Sequence, residues 1–211
     1  MHKRSEQTRQ ALVRATAELI ADGQLADAGL VNICRVAGVS RGALYHHFSS
    51  TAELVAEVRA QASARTTALV EDAFAGPAAD APARLSTALG VAMSEEQLVR
   101  AGMRLGQNGT DGPPRLRDEV LSLMRDRIAP PSAAGEGAET GAEGWAEGAS
   151  DTPERVQLAD LAVVVTAGLQ SLGYTDRRWW DPETSERIWS MLEPLFAPVE
   201  RAGASSAAGR D

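Results

Sequence analysis

Cysteine is nearly absent from this chain. The single thiol, Cys34 among 211 residues, allows no internal disulfide and no cysteine-based metal cluster, which fits a reducing compartment. Histidine is almost as scarce: His2 near the terminus, and the adjacent pair His46 and His47. Neighbours on a helix diverge by about 100°, so that pair cannot converge on one ion, and neither a metal nor a cofactor is expected. No long apolar run exists either. The longest lies around Leu161 to Leu169, far short of the roughly 20 residues of a membrane span. The opening Met1-His-Lys-Arg-Ser-Glu-Gln lacks the apolar centre of a secretory signal, so the expectation is a cytoplasmic protein away from membranes. Missing too are strand-like alternation, a glycine-rich phosphate loop, an HExxH run and any Ser/His/acid arrangement that stands out. These absences exclude the common enzyme classes and point to an all-α protein that is not an enzyme.

What is present is the composition of a soluble globular protein, 44% hydrophobic and 24% charged, with a net charge of −8. The charge is unevenly placed. Residues 1–51 hold six basic side chains (Lys3, Arg4, Arg9, Arg14, Arg35, Arg41) against four acidic ones, and the excess of acid lies entirely beyond them. Because fields are screened within about 8–10 Å, a mildly basic head on an acidic body can still neutralise phosphates locally.

Periodicity divides the chain into helices. Ser5 to Asp22 carries Leu12, Ala15, Leu19 and Ile20 as a stripe, with Thr16 at its edge, Gln7, Gln10 and Arg14 opposite, and Gly23 as the stop. Leu30 to Ala37 turns Ile33, Val36 and Ala37 inward, with Cys34 as a small buried hydrophobe. Arg41 to Phe48 follows, anchored by Leu44 and Phe48. Ser50-Thr-Ala-Glu53 spells a capping box, opening a long helix that ends near Gly76-Pro77. The next helix starts near Asp80 and Pro82 and turns Leu85, Leu89, Ala92 and Met93 inward, and a second capping box is expected at Ser94-Glu-Glu-Gln97. Asn108 to Pro114 reads as loop. Arg115 to Ala129 should bury Leu116, Val120, Leu123, Met124 and Ile128 on one side. Residues 130–153 are built mostly from Gly, Ala, Glu, Ser and Pro, hold five acids and no base, and are expected to be a disordered acidic loop in which Trp145 is discordant. Glu154 to Gly173 is apolar nearly all round, as in a helix buried on all sides or shared with a second subunit. Asp181-Pro-Glu183 starts a last helix bearing Ile188, Trp189, Leu192, Leu195 and Phe196, and from about Arg201 the chain is a Gly/Ala/Ser tail.

One break in this series is chemically suggestive. Val36-Ala37-Gly38-Val39-Ser40 ends one helix and starts another: Gly38 can take positive φ, and Ser40 can cap the helix that follows. A steep turn of this kind is what a helix-turn-helix needs to place its second helix in a major groove. That helix would present Arg41 to a guanine or phosphate, Tyr45, His46 and His47 to phosphates or bases, and Gly42 and Ala43 as room for close backbone approach. On the residues alone, an ordinary polar surface helix accounts for the same side chains equally well.

A resemblance separates the two. Residues Glu6 to about Leu54, with Ile33-Cys-Arg-Val-Ala-Gly-Val-Ser-Arg-Gly-Ala-Leu-Tyr-His-His-Phe-Ser-Ser and Glu53-Leu54, resemble the TetR family of transcriptional regulators over about a quarter of the chain. The resemblance implies an N-terminal three-helix helix-turn-helix domain with a larger helical ligand-binding and dimerisation domain. It places DNA contacts on Arg41, Gly42, Ala43, Tyr45, His46 and His47, and on Thr51, which stands where the family usually has Lys. Gly29-Leu30 stands where the family usually has Ser or Thr. Both departures remove phosphate contacts and imply a shallower salt dependence. More faintly, Val99-Arg-Ala-Gly-Met-Arg-Leu105, Ala167-Gly-Leu-Gln-Ser-Leu172 and Trp189…Leu192…Pro194 resemble the γ-butyrolactone receptor branch of actinomycetes. That branch typically carries a ligand-contacting Trp on the helix corresponding to Arg115–Ala129, and here there is none.

The resulting expectation is a DNA-binding domain over 1–51, a ligand-binding and dimerisation domain over 52–200 and a disordered tail over 201–211. The protein would be a homodimeric repressor on a pseudo-palindromic double-stranded DNA operator, released by a small amphipathic effector. Candidate effector contacts are Met93, Met103, Gln107, Leu123, Met124, Thr166, Gln170, Trp179 and Trp189. The alternatives are a pseudo-receptor without butyrolactone response, and a small-molecule-binding protein that no longer reads DNA.

Overall fold

The computed structural model describes residues 2–24, 29–105, 115–130 and 153–196. Among them are nine α-helices and no strand: α1 (His2–Ala21), α2 (Leu30–Ala37), α3 (Arg41–His47), α4 (Thr51–Phe74), α5 (Ala81–Glu95), α6 (Gln97–Arg104), α7 (Leu116–Ile128), α8 (Pro153–Gly173) and α9 (Pro182–Phe196). Short 3-10 turns at Ala78–Asp80 and Arg177–Trp180 lead into α5 and α9. The expected loop at 108–114, most of the acidic stretch with Trp145, Gln107 and the tail lie outside the described residues. The chain forms two compact units, one from 1–68 and 92–119, the other from 69–91 and 120–211.

In the first unit α1 packs chiefly on α6 and then on α2. Its core joins Leu12, Val13, Leu19 and Ile20 to Ile33, Leu44, Phe48, Leu54, Val58 and Ala101. Fully burying each of the larger of these side chains contributes about 1.5–3 kcal/mol. Thr16 is not at the edge of the stripe but fully buried, and its hydroxyl meets that burial by donating to the Leu12 carbonyl at 2.9 Å. Gly23, at φ 78°, ends α1 as expected, and Arg104 from α6 donates to the Ala21 carbonyl at 2.8 Å.

The second capping box does not form. Ser94 stays inside α5, and the break falls at Glu96, whose backbone is extended. Two tertiary contacts outweigh the local signal. Buried Arg100 donates to the Met93 and Ser94 carbonyls, and Arg65 on α4 holds the Glu96 carboxylate with bonds of 2.8–3.1 Å. α6 then lies so close to α4 that a Cβ on Gly102 would overlap the Ala62 side chain and press on Leu116.

In the second unit Trp180 is the keystone. Its indole N–H donates to the Gln170 carbonyl at 3.1 Å, and Tyr174 meets it edge-on at 5.2 Å. A Cβ on Gly173 would overlap its ring, and one on Gly90 would lie 2.8 Å from its carbonyl oxygen. Two glycines are therefore required to seat one tryptophan. On α7, Leu116, Val120, Met124 and Ile128 are buried, but Leu123 is 39% exposed and Leu121 takes its place. The centre of the stripe falls between Val120 and Met124, which leaves Leu121 on its inner flank and Leu123 on its outer one. α8 is not buried all round: Ala159, Ala162, Thr166, Leu169, Gln170 and Gly173 are buried, whereas Val164 and Leu172 are exposed. It starts at Pro153, inside the stretch expected to be loop, and is held by Arg125–Asp160 at 2.9 Å and by Arg155 on the Ile128 carbonyl. α8 is long and apolar enough to cross a membrane by length and composition alone, as core helices of soluble proteins also can be, although its longest uninterrupted apolar run is short.

Candidate nucleic-acid interface

The turn between α2 and α3 is built as its residues dictate. Gly38 sits in the left-handed region at φ 66°, its N–H donates to the Arg35 carbonyl, and the Val39 N–H donates to that of Cys34. Ser40 is extended, and its Oγ accepts the Ala43 N–H at 3.2 Å. Leu44 is fully buried, and Phe48, just past the helix end, is 2% exposed. Cys34 is buried, as expected of a small apolar filler.

With that face turned in, the opposite face of α3 is presented outward. Arg41, Gly42, Tyr45 and His46 are exposed, and Ala43 and His47 are half-buried. The two imidazoles meet edge-on at 5.1 Å. A Cβ on Gly42 would meet nothing nearer than Ser40 Oγ at 3.9 Å, so internal packing does not demand glycine there. Thr51, half-buried, opens α4. The structure thus gathers all seven expected contacts on α3 and the start of α4.

Arg9 and Glu57, which sequence spacing did not reveal, help to hold this helix in place. Arg9 on α1 pairs with Glu57 on α4 at 2.8 Å and lies over the Phe48 ring at 5.3 Å. Glu53 does reach back, but one residue further than expected: its carboxylate accepts the Ser49 N–H at 2.7 Å and the Ser49 hydroxyl at 2.8 Å, while Ser50 Oγ accepts the Glu53 N–H. The Ser49 backbone and hydroxyl bonds, chiefly, and Arg9 to a lesser degree hold the Glu53 carboxyl below its ordinary range. Glu57 is lowered as well, by Gln61 first and then Arg9.

Residues 12–58 match the family described as bacterial regulatory proteins, tetR family. These residues are similar to the DNA-binding head of that family. A head of this type supports a DNA-binding transcriptional regulator. No curated protein matches the chain in sequence. Its fold is shared with solved structures along most of its length. A γ-butyrolactone receptor described as ArpA-like superposes with a TM-score of 0.65 at 19% identity, covering 94% of this chain and 99% of that one. CprB from Streptomyces coelicolor, solved with its operator sequence, gives 0.63 at 21% identity over 96% and 100%. NalD, the secondary repressor of the MexAB-OprM efflux pump in Pseudomonas aeruginosa, gives 0.58 at 25% identity over 92% and 96%.

The candidate effector residues are less unified. Met93 and Met103 are buried in the first unit, and Met124, Thr166, Gln170 and Trp189 in the second. Leu123 faces outward, Trp179 is half-buried beneath the Arg178 guanidinium at 5.4 Å, and Gln107 lies outside the described residues. Three of the set share a distinctive property: Thr166 Oγ1, both amide atoms of Gln170 and Trp189 Nε1 are buried without a hydrogen-bond partner. By contrast, the buried hydroxyls of Thr16 and Thr66 return to carbonyls of their own helices.

Proposed function

We propose that this regulator is a ligand-responsive homodimeric repressor in which residues 1–51 read DNA and residues 52–200 bind effector and pair the subunits. The observation that carries the DNA reading is the α2–α3 geometry, with a capped, core-anchored α3 presenting Arg41, Tyr45 and His46 to solvent. In a dimer, two such helices enter successive major grooves about 34–36 Å apart on a pseudo-palindromic operator. Pairing is supported by exposed apolar side chains on two helices of the second unit, Val164 and Leu172 on α8 and Met191 and Leu195 on α9.

Effector response is supported by Thr166 and Gln170, one helical turn apart on α8. An unmet buried polar group costs about 1–3 kcal/mol, and a ligand that supplies its partner recovers that cost. Met124, Trp179 and Trp189 of the same unit complete the proposed set, while Met93, Met103, Gln107 and Leu123 stand as separate candidates. A ligand that favours a state with wrongly spaced heads releases the operator. The second reading is a regulator without butyrolactone response, favoured by the absence of Trp from α7.

A gel shift with DNA flanking the chain's own gene tests both. A shift abolished by a γ-butyrolactone or by culture extract supports the repressor. A shift indifferent to both supports the second reading, and no shift at low salt sinks DNA binding itself.

A further inference from the structure

Beyond the interior residues of α8, the second unit carries an open groove of about 490 Å³ between α9, the Ala78–Asp80 turn and the first half of α5. Its walls are mainly apolar, from Ala79, Ala83, Ala88, Trp189 and Phe196. Trp189 and Phe196 meet edge-on at 5.7 Å and are both nine-tenths or more buried, and Thr87 Oγ1 bonds Ser185 Oγ at 2.8 Å beside them.

The polar lining is unbalanced. Arg84 is the one base among the lining residues, and its guanidinium is already committed to the Ala73 and Pro77 carbonyls and, at 3.7 Å, to Asp80. Glu186 and Glu193, two turns apart along one face of α9, also line the groove, and no cation of the described residues pairs with either. Arg187 lies about 100° round the helix from Glu186 and is not part of the lining. Independently of the carboxylates, the Trp189 indole N–H is buried without an acceptor.

We propose that this groove binds a small amphipathic cation: an aromatic or aliphatic body on the Trp189–Phe196 wall, a protonated amine between Glu186 and Glu193, and an oxygen that accepts the Trp189 N–H. The three features complement the three unmet properties of the groove. An apolar body removes exposed apolar wall from water. A cation beside an indole gains from the ring quadrupole as well as from the carboxylates. An anion of the same shape meets a net negative rim and is excluded. The groove shares Trp189 with the proposed effector residues and rests on that reading there; neither Thr166 nor Gln170 lines it, and binding in it does not require operator release.

Calorimetric titration of the full chain, without DNA, tests it with three probes that share a naphthalene ring: propranolol, which carries an amine and a hydroxyl, naproxen as the anion, and 2-naphthol as the neutral body. Propranolol should bind best, and more weakly as salt rises. The double variant E186Q/E193Q, exposed at both positions, should weaken propranolol about fivefold to tenfold and leave 2-naphthol unchanged. Trp189→Phe, which keeps an aromatic wall and removes the N–H, should weaken it about fivefold. Equal binding of naproxen, or an unchanged affinity in E186Q/E193Q, overturns the proposal. So does propranolol affinity that falls as protein concentration rises, because a second copy of the chain is then the occupant. The operator gel shift is read separately, so loss of the repressor reading leaves this measurement intact.

Discussion

Arg41 and Tyr45 are where DNA recognition narrows to single side chains. Both are exposed on a helix whose other face is sealed by Leu44, and Tyr45 is 57% exposed despite its apolar ring. Exposure at that level contributes little to folding, so a binding role can be tested cleanly. Arg41→Ala and Tyr45→Ala should each weaken specific operator binding by about 1–3 kcal/mol and leave the thermal midpoint unchanged. Fluorescence anisotropy on operator and scrambled DNA, beside a melting curve, checks this; two variants that bind like the parent would remove α3 from the interface. These residues were legible because each depends on its own helix. Arg9 was not. Its partners Phe48 and Glu57 lie 39 and 48 positions away in sequence, and no local spacing encodes such a contact. Leu123 was misassigned for a related reason: a stripe three residues wide cannot say which flank faces solvent until the neighbouring helix is placed.

At the scale of elements, the turns were read correctly where glycine or a cap acts alone, and incorrectly where tertiary contacts compete. Gly38 and Ser40 set the α2–α3 turn by backbone geometry and one hydrogen bond. Ser94 carried an equally good cap pattern, yet Arg100 and Arg65 fix the break two residues later. The start of α4 gives a test in pH. Glu53 is lowered in the folded state, chiefly by its bonds to Ser49, and Glu57 is lowered by Gln61 and Arg9. A lowered carboxylate stabilises the fold fully above its unfolded value, here near 4.5, and that contribution is lost as pH falls through the lower folded value. Urea unfolding between pH 3 and 7 should therefore show stability falling below about pH 4.5. Glu53→Gln should flatten that fall with little change in shape above it, and an equally steep fall in the variant would show that the Ser49 bonds carry none of it. A second test concerns close approach. Gly102→Ala places a methyl against Ala62 and Leu116, so α6 must shift from α4 at a cost of about 1–3 kcal/mol, read in the same unfolding assay. A stability within a few tenths of the parent would mean that the two helices separate freely.

For the whole molecule, the proposed operator binding has to be reconciled with a head that carries little positive charge. Residues 1–51 hold two more basic than acidic residues, Gly29-Leu30 and Thr51 stand where the TetR resemblance implies phosphate contacts, and the net charge is −8. On the proposed reading each head alone would neutralise few phosphates, so its single-site affinity is expected to be low. In the proposed dimer, joining two heads would change this without any new contact, because the second head would bind at the effective concentration set by the first, a gain of about 10²–10⁴. Operator binding should accordingly depend on pairing more steeply than on any one side chain of α3. The surface available for pairing is the apolar one: Val164 and Met191 are each 67% exposed, with Leu172 and Leu195 beside them in sequence register on α8 and α9. Val164→Asp combined with Met191→Asp places carboxylates there at almost no cost to a single copy, since neither position is buried within it. Sedimentation velocity should show the parent as a dimer and the double variant as a folded monomer by circular dichroism. The variant's operator affinity should fall at least about hundredfold while its response to salt grows shallower, because half as many phosphates are contacted. A folded monomer that binds operator as tightly as the parent would show that one head suffices, and the two-groove geometry would then have to be abandoned.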